Sequence, residues 1–373
     1  MDNVTHTLFG LTLARTPLAR AGRGTTAALI LASNAPDIDI VTALPGGFVT
    51  YLRWHRGPTH GPIGVVTLGL TTALLVWGFD RVVRGRRARA PDGPESRASF
   101  VMLAAVSMIG VLCHVLMDLP TSYGTRLVSP FDWHWFAVDW MPIVDIYLLA
   151  VLAAGLLFGR GSMSARRRNA ALALALMGVN YGVRAAAHHQ ALVIAPRLFG
   201  PTLPQRCADA SPATSVIDEW PMASSAGATE SAAHRCLVEI AAMPTFFSPF
   251  SWRLIARFSN AYEVHDVDLL DARFRTPASS AEAFWRRAVR YPNIWSDAAV
   301  RAASTRSAQV FLGFSRFPAA RSFTDSAGTA TVRFTDIRFV SSGFVDEVRR
   351  SDPFTVIVRT TADGRVTTEA FGR

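Results

Sequence analysis

Long apolar blocks crowd into the first 195 residues, and they constrain the fold more than any other feature of the chain. Residues 61–79 and 99–117 each run for 19 residues with almost no charge. A helix of about 20 apolar residues crosses the hydrocarbon core of a bilayer, so such blocks predict membrane spans. The predicted spans are residues 25–44, 61–79, 99–117, 141–159 and 169–195. Residues 1–15 are too short to span and are predicted to dip in as half of a helical hairpin.

The second half of the chain has the composition of a soluble domain. Several of its segments are rich in β-branched and aromatic residues, and Asp363-Gly364 is a strong hairpin signal. The predicted strands are residues 251–259, 261–269, 308–317, 329–339 and 354–361. We therefore expect a multi-pass α-helical membrane domain (1–195), a linker (196–240) and a soluble β-rich, α+β domain (241–373).

The arginines predict how the chain is oriented. The net charge is +10 and all 38 basic residues are arginine, a balance that could indicate nucleic acid. However, 13 arginines lie in three short segments between apolar blocks, against three in the alternating loops 45–60 and 119–140. This asymmetry is the positive-inside pattern of a membrane protein, and it argues against a nucleic-acid partner. It places residues 200–373 outside the cytoplasm.

Two questions about the second half stay open from the sequence. Cys207 and Cys236 could form a disulfide in an oxidising compartment or remain two free thiols, whereas Cys113 lies inside an apolar helix and is expected to pack there. Aromatic residues near position 250 could rest on the membrane, cover a site or belong to the core. These are Phe246, Phe247, Phe250 and Trp252.

Polar residues, almost all of them acids and histidines, interrupt the apolar half, and the predicted topology puts them all at the outer ends of the spans. Such residues near lipid are costly and tend to be functional, although each alone could be a helix cap or a solvated side chain. The set comprises Asp2, His6, Asn34, Asp37, Asp39, His55, His60, His114, Asp118, Asp132, His134, Asp139 and Asp145.

The spacing of these residues suits a metal site. His114 and Asp118 are four apart and share one helix face, and Asp37 and Asp39 follow the helix break at Pro36. Imidazole and carboxylate without thiolate favour zinc, manganese or iron, and one to three ions per chain are expected. Such ions support hydrolysis. The core ligands are predicted to be Asp37, Asp39, His60, His114 and Asp118, followed by His6 and His55, whose turn with His60 contains Gly57-Pro58.

The order of these motifs resembles that of the YdjM-like family. The motifs are D-x-x-T-H (Asp2–His6), N-x-P-D-x-D (Asn34–Asp39), H-R-G-x-T-H (His55–His60) and H-x-x-x-D (His114–Asp118). Members are predicted to be membrane-bound metal-dependent hydrolases, so the resemblance implies such an enzyme in the bacterial inner membrane, with Asp2 added to the ligands. The set is also distantly similar to zinc-dependent phospholipase C and P1-type nucleases, which implies phosphoester hydrolysis. The later H-x-x-x-E motif of those enzymes is not visible here.

The sequence therefore predicts a hydrolase that acts on a phosphoester or ester of a lipid or amphipathic molecule at the outer face of the membrane. Membrane lipid is the expected partner. Asp145 is the candidate general base, and Arg56 either binds the substrate phosphate or faces lipid headgroups. Two other classes stay open: a non-catalytic membrane assembly factor and a transporter, although transporters place their sites near the midplane. The sequence does not identify the oligomeric state.

Overall fold

The computed structural model describes residues 1–85, 98–158, 161–199, 203–207, 218–220, 236–271, 288–340 and 354–372. The chain forms two compact units. The helical unit contains residues 1–41 and 56–185, and the mixed unit contains residues 42–55 and 186–373. Much of the predicted linker lies outside the described residues, as do parts of two arginine-rich segments, and the predicted domain boundaries stay predictions.

The α-helices are α1 (Asn3–Leu13), α2 (Thr25–Ala32), α3 (Ala43–Trp54), α4 (Pro62–Gly85), α5 (Phe100–Asp118), α6 (Ile146–Leu157), α7 (Met163–Leu198), α8 (Asp297–Ala303) and α9 (Arg306–Phe314). Short 3-10 helices occur at Pro17–Ala21, Ala35–Thr42 and Ile337–Phe339. The strands are β1 (Trp135–Ala137), β2 (Asp218–Trp220), β3 (Leu237–Pro244), β4 (Ser251–Phe258), β5 (Ala261–Asp268), β6 (Val289–Pro292), β7 (Pro318–Thr324), β8 (Ala330–Asp336), β9 (Thr355–Thr360) and β10 (Val366–Phe371).

Three helices are long and apolar enough to cross a membrane, namely α4, α5 and α7. A fourth candidate is the segment 25–54, which is bent by 44° where α2 gives way to the following 3-10 helix. Pro36 is the second residue of that 3-10 helix, and a proline has no N–H to continue the hydrogen-bond ladder of α2. The predicted multi-pass helical region is therefore confirmed.

The predicted span over 141–159 is wrong in its extent. Helix α6 begins only at Ile146, because the Asp145 carboxylate accepts a hydrogen bond from the Leu148 N–H (2.7 Å) and caps the helix there. Twelve residues of helix rise about 18 Å, well short of the ~30 Å core of a bilayer. The α6 helix is therefore too short to cross by itself.

Two four-stranded antiparallel sheets form the frame of the mixed unit. Their strand orders are β3-β4-β5-β6 and β10-β9-β8-β7. One face of the first sheet packs on the last turns of α7, with Trp252, Leu254 and Phe258 against Ala191 and Leu198. The opposite face shares a core with residues of β7, and helices α8 and α9 cover the second sheet. The predicted β-rich domain of α+β type is therefore confirmed.

One predicted strand is wrong. Residues 308–317 were expected to be extended, but residues 306–314 form α9. Its apolar run, VFLGF, is too short to distinguish helix from strand by pattern. The spacing of Ala308 and Phe311 matches a helix face, and both side chains are buried against the second sheet.

Two other expectations are resolved. Asp363-Gly364 forms the turn between β9 and β10, with Gly364 at a φ of 84°, where a glycine is favoured. Cys207 and Cys236 form a disulfide, and Cys113 is a half-buried free cysteine in α5.

Candidate metal centre

Four of the predicted ligands converge in the helical unit. One ligand atom from each of Asp37, His60, His114 and Asp118 lies within 4.8 Å of the other three. The two histidine Nε2 atoms are 3.3 Å apart. His114 Nε2 lies 3.5 Å from Asp118 Oδ2 and 3.6 Å from Asp37 Oδ1, and His60 Nε2 lies 3.4 Å and 3.8 Å from the same two oxygens. The histidine nitrogens and carboxylate oxygens therefore surround one point.

Local structure brings these four side chains together. Asp37 lies in the first turn of the 3-10 helix Ala35–Thr42, and His114 and Asp118 lie one above the other on the last turns of α5. His60 ends a tight turn in which its N–H donates to the Gly57 carbonyl (2.8 Å). At the next residue, Gly61, a Cβ would lie 1.9 Å from the Ser129 carbonyl oxygen, so this close approach requires glycine.

The outer nitrogens of both imidazoles have protein partners. His114 Nδ1 lies 2.7 Å from the Ser33 carbonyl oxygen, so this nitrogen carries the proton. His60 Nδ1 lies 3.0 Å from the Thr59 hydroxyl. Histidines that bind metals commonly bond through one nitrogen in this way and leave the other for the ion. A neutral His114 therefore presents its unprotonated Nε2 to the cluster.

Asp118 is held from several sides and is fully buried. Arg56 approaches it with a nitrogen 3.1 Å from Oδ2 and also donates to the Thr121 hydroxyl (3.2 Å) and the Gly124 carbonyl (2.9 Å). The amino group of Met1 contacts the other oxygen, Oδ1. These contacts orient the Asp118 carboxylate.

Arg56 has an unusual backbone. Its φ is 49°, a region that side chains other than glycine rarely adopt. Its N–H donates to Asp39 Oδ2 (2.8 Å), and that oxygen also lies 3.9 Å from His60 Nδ1. Strained backbone is often found at functional sites, where the surroundings hold it in place. Asp39 therefore fixes the turn that carries His60 and is not one of the four converging residues.

His6 lies beside the cluster. Its ring stacks on that of His114 with centroids 3.8 Å apart, and its Nε2 is 3.4 Å from Asp118 Oδ1. Neither ring nitrogen has a hydrogen-bond partner among the described residues, although the ring is fully buried. Buried imidazole nitrogens are normally satisfied, so His6 is a candidate further ligand.

Three other predicted site residues have different surroundings. Asp2 caps α1 by accepting hydrogen bonds from the N–H groups of Val4 and Thr5, both at 3.0 Å. His55 belongs to the mixed unit, where its ring lies against Tyr51. Asp145 forms a buried ion pair with Arg184, in which Nη2 and Oδ2 are 2.5 Å apart.

The geometry fits a divalent cation. Ligand bonds of about 2.0–2.2 Å at a tetrahedral zinc ion place ligand atoms roughly 3.3–3.6 Å apart. The five separations given above run from 3.3 to 3.8 Å. The Asp118 oxygens contact the Arg56 guanidinium and the Met1 amino group, and they also face histidine nitrogens. Four electron-pair donors facing one point in a buried site repel one another unless a cation or protons lie between them, so this donor set fits a metal ion.

Sequence reasoning missed the residues that support the ligands. Ser33 acts through its carbonyl, which carries no side-chain signal, whereas the Thr59 hydroxyl was visible in the H-R-G-x-T-H motif.

Arg126 was seen only as a loop arginine, yet it is buried and its guanidinium lies 4.4 Å from the ring centre of Trp135. Burial lowers the pKa of Arg126 to about 10.

The exposed pair of Asp132 and His134 lies in the loop between α5 and α6. His134 Nδ1 is 2.5 Å from Asp132 Oδ1, and the His134 N–H donates to the same oxygen at 3.0 Å. These hydrogen bonds lower the pKa of the Asp132 carboxyl. Both side chains are about 40% exposed, at 43% and 38%, and neither belongs to the converging group, although both were in the sequence inventory.

Comparisons with known proteins agree with these motifs. Residues 1–191 match the family model described as YdjM inner membrane protein. The chain is 27% identical over 172 residues to an uncharacterized protein, YfhP, of Bacillus subtilis (strain 168). That match covers 43% of this chain and 48% of YfhP, so the chain spans about half the length of its curated relative. No solved structure matches. The matched region contains the four converging ligands and covers half of the chain, and the chain belongs to the YdjM inner membrane protein family.

Proposed function

We propose that this protein is a membrane-embedded, metal-dependent hydrolase that acts on a phosphoester or ester of a lipid or amphipathic molecule. The observation that carries the proposal is the convergence of Asp37, His60, His114 and Asp118 on one point. Oxygen and nitrogen ligands without thiolate suit zinc, manganese or iron. When bound, such an ion polarises the substrate and makes water reactive near neutral pH.

Neighbouring residues fix the orientation of the proposed ligands. Ser33 and Thr59 fix the two imidazoles, and Arg56 fixes Asp118. We therefore assign Arg56 a positioning role, because its guanidinium is engaged by Asp118, Thr121 and Gly124. Asp145 has no part in the proposed reaction, since its carboxylate is engaged by Arg184.

Access to the site supports an amphipathic substrate. Of the four ligands, His60, His114 and Asp118 have side chains that are 0% exposed, whereas Asp37 is 20% exposed. Asp37 is therefore the side on which a substrate group can enter. It lies in the first turn of the 3-10 helix that follows the bend of a candidate span, so we propose that molecules that partition into the membrane reach it.

The disulfide supports the predicted orientation. Disulfides persist in oxidising compartments outside the cytoplasm. The Cys207–Cys236 bond therefore agrees with the arginine asymmetry, and we propose that the region after α7 is extracytoplasmic.

A second candidate function is a non-catalytic assembly factor with a structural ion. Structural zinc sites bind four protein ligands, whereas catalytic sites keep a position for water or substrate. The four converging residues would satisfy a structural ion. A transporter, the third class, is less favoured, because transporters place their sites near the bilayer midplane and the predicted topology puts these residues at the outer ends of the spans.

Metal analysis of the protein purified in detergent tests the proposal. We expect the wild type to hold at least one zinc, manganese or iron ion per chain, and Asp118→Asn and His60→Ala to lose it. Asp132→Asn and His134→Ala are matched controls, because they change the same residue types in an exposed pair outside the cluster. These variants should keep the metal.

Activity assays then separate the two functions. The metal-loaded protein is offered phosphodiester and carboxylic ester lipids in mixed micelles, with the metal-free protein as control. Metal-dependent turnover that both ligand variants lose supports the hydrolase. Metal binding without turnover on any substrate supports the structural role, and a folded wild type that stays metal-free when metal is supplied overturns both.

A further inference from the structure

A cavity of about 430 Å³ lies between α6 and α7, within the helical unit. We call it the α6–α7 groove. The described residues that line it run from Ala150 to Phe158 and from Asn169 to Leu176, and all of them except Asn169 are apolar. Small-molecule sites commonly measure ~300–1,000 Å³ and have such an apolar lining. None of the lining residues is one of the four converging ligands, so the groove is separate from the candidate metal centre.

The two helices are fixed on either side of the groove. At one end the Asn169 amide donates to the Phe158 carbonyl (2.9 Å), and at the other the buried ion pair described above joins α6 to α7. Between these ends a Cβ on Gly155 would lie 2.7 Å from the Cβ of Ala173, so the helices touch there and the contact requires glycine. The groove is therefore a fixed feature of this helix pair.

The groove opens toward the surroundings of the helices. Phe158 is 70% exposed, Leu172 is 55% exposed and Leu176 is 43% exposed. Helix α7 is a candidate span, so the leucines of this face contact hydrocarbon when the helix crosses a bilayer. An apolar chain, and not a water-soluble molecule, therefore suits the groove.

The arginines of α7 fix the depth of the groove in the membrane. Arg166, Arg167 and Arg168 are all exposed and directly precede the part of α7 that lines the groove. Arginine is costly in hydrocarbon, so this run marks the headgroup level. From Arg168 to Leu176 the helix rises about 12 Å, less than half of the ~30 Å core. The groove therefore lies within one leaflet, just below the headgroups.

Positive charge lies at the headgroup end of the groove. Arg168 is four residues before Leu172, so the two side chains lie on the same side of α7. Arg15 reaches the same end, where its Nη1 donates to the Gly155 carbonyl (3.3 Å). Basic pockets between membrane helices are typical sites for anionic lipid headgroups. We propose that the α6–α7 groove binds an anionic phospholipid, with one acyl chain in the groove and the phosphate beside Arg168.

The shape of the groove favours a lipid over a second copy of the chain. Helices that pack closely in a membrane present small residues to each other. Large side chains border this groove instead, namely Phe158, Leu172 and Leu176. A flexible acyl chain fills the hollow between such side chains, whereas a straight helix would rest on them.

Native mass spectrometry of the full chain, released from detergent, tests the proposal. The protein is offered equal amounts of dioleoyl phosphatidylglycerol and dioleoyl phosphatidylcholine, which share their acyl chains and differ in net charge. We expect the wild type to retain one phosphatidylglycerol several-fold more than phosphatidylcholine, and Arg168→Gln to lose this preference. Arg167→Gln is the matched control and should keep it, because Arg167 is three and four residues before Ala170 and Ala171, which are not among the lining residues.

Filling the groove tests the place of the acyl chain. Ala154→Phe puts a ring into the groove and should lower the retention of both lipids several-fold. Ala171→Phe makes the same change at an exposed alanine of α7 outside the groove and should leave retention unchanged.

Three results would overturn the proposal. Equal retention of the two lipids by the wild type would mean unselective contact with lipid. Unchanged retention in Ala154→Phe would place the lipid elsewhere on the chain, and a two-chain complex that holds neither lipid would show that a second copy covers the groove. Asp118→Asn should retain phosphatidylglycerol as the wild type does, so failure of this proposal is distinguishable from failure of the proposed hydrolase.

Discussion

Two buried charged groups in the helical unit differ in how their charges are compensated. Asp145 pairs with Arg184 at 2.5 Å, and its Oδ1 also accepts hydrogen bonds from the Leu148 N–H at 2.7 Å and the Asn180 amide at 3.3 Å. The cluster of Asp37, His60, His114 and Asp118 instead brings two carboxylates and two imidazoles to one point. The Asp145 carboxylate is paired with one guanidinium, whereas in the cluster Arg56 and the Met1 amino group contact Asp118 and the four ligands still surround a position that a cation fits.

This difference separates a structural charge from a candidate functional one. A charged side chain in a membrane helix is retained only where something compensates its desolvation. At Asp145 the compensation joins α6 to α7 by an ion pair, which suits a role in stability. At the cluster Arg56 already pairs with Asp118, and the further compensation that a metal ion would supply comes from outside the chain. The occupancy of that ion can vary, so metal binding is measurable.

The largest expected effect comes from breaking the ion pair of Asp145 and Arg184. Arg184→Met leaves the buried Asp145 carboxylate without its cation, and loss of one partner of a buried pair costs about 3–5 kcal/mol. We expect a large fall in the apparent unfolding temperature in detergent, with the metal content of the surviving folded protein unchanged. Thermal unfolding followed by intrinsic fluorescence measures the first effect, and elemental analysis measures the second.

A double variant is the control for this prediction. Arg184→Met with Asp145→Asn removes both charges and should recover part of the lost stability. Equal stability of Arg184→Met and the wild type would mean that the ion pair does not stabilise the fold. Asp145 and the cluster would then no longer differ as a structural charge and a candidate functional one.

Chelation is the second test, because it acts on the cluster alone. If the ion is bound at a concentration 100 times its dissociation constant, its removal lowers the free energy of unfolding by about 2.7 kcal/mol. A chelator should therefore destabilise the wild type and leave His114→Ala unaffected. The measurement is the unfolding temperature of both proteins with and without chelator.

The chelation test also has an outcome that would contradict it. Equal shifts in the two proteins would mean that the chelator acts elsewhere on the chain. Arg184→Met, in which the cluster is intact, should still respond to chelator, and this response keeps the two groups distinguishable.

A smaller effect is expected at the support of His60. Thr59→Val removes the hydroxyl 3.0 Å from His60 Nδ1, and loss of such a supporting bond typically lowers metal affinity 10- to 100-fold. Competition with a chromophoric chelator measures the affinity. Thr67→Val is a matched control, because the Thr67 hydroxyl bonds only the Ile63 carbonyl of its own helix, α4, among the contacts described (2.8 Å). An unchanged affinity in Thr59→Val would mean that the hydroxyl does not orient the ring.

Sequence patterns predicted the cluster better than its surroundings. His114 and Asp118 are four apart on one helix, so a local rule brings them together, and Pro36 signals the break that positions Asp37. The partner of Asp145 was not predictable, because Arg184 lies 39 positions away on another helix and no spacing rule links them. The Ser33 carbonyl gives no side-chain signal at all.

The fold shows the same limit. Long apolar helices and the Asp363-Gly364 turn were readable because their signals are local. Residues 308–317 were misread because a short apolar run fits a strand or a helix, and burial of Phe311 against the second sheet decides between them. Tertiary packing therefore determines the secondary structure of a segment whose local pattern fits both a helix and a strand.

The smallest expected effect concerns Asp2, which the family resemblance adds to the ligands and the structure places at the start of α1. Its Oδ1 accepts the N–H groups of Val4 and Thr5, and the Thr5 hydroxyl lies 2.5 Å from Oδ2. Removal of an N-cap costs about 1 kcal/mol, so Asp2→Ala should lower the unfolding temperature slightly and keep the metal. Asp2→Ser, which retains a capping oxygen, should restore most of the stability. Loss of metal in both variants would instead make Asp2 a ligand. Three carboxylates, and not the two of the four-residue cluster, would then compensate the charge of the ion.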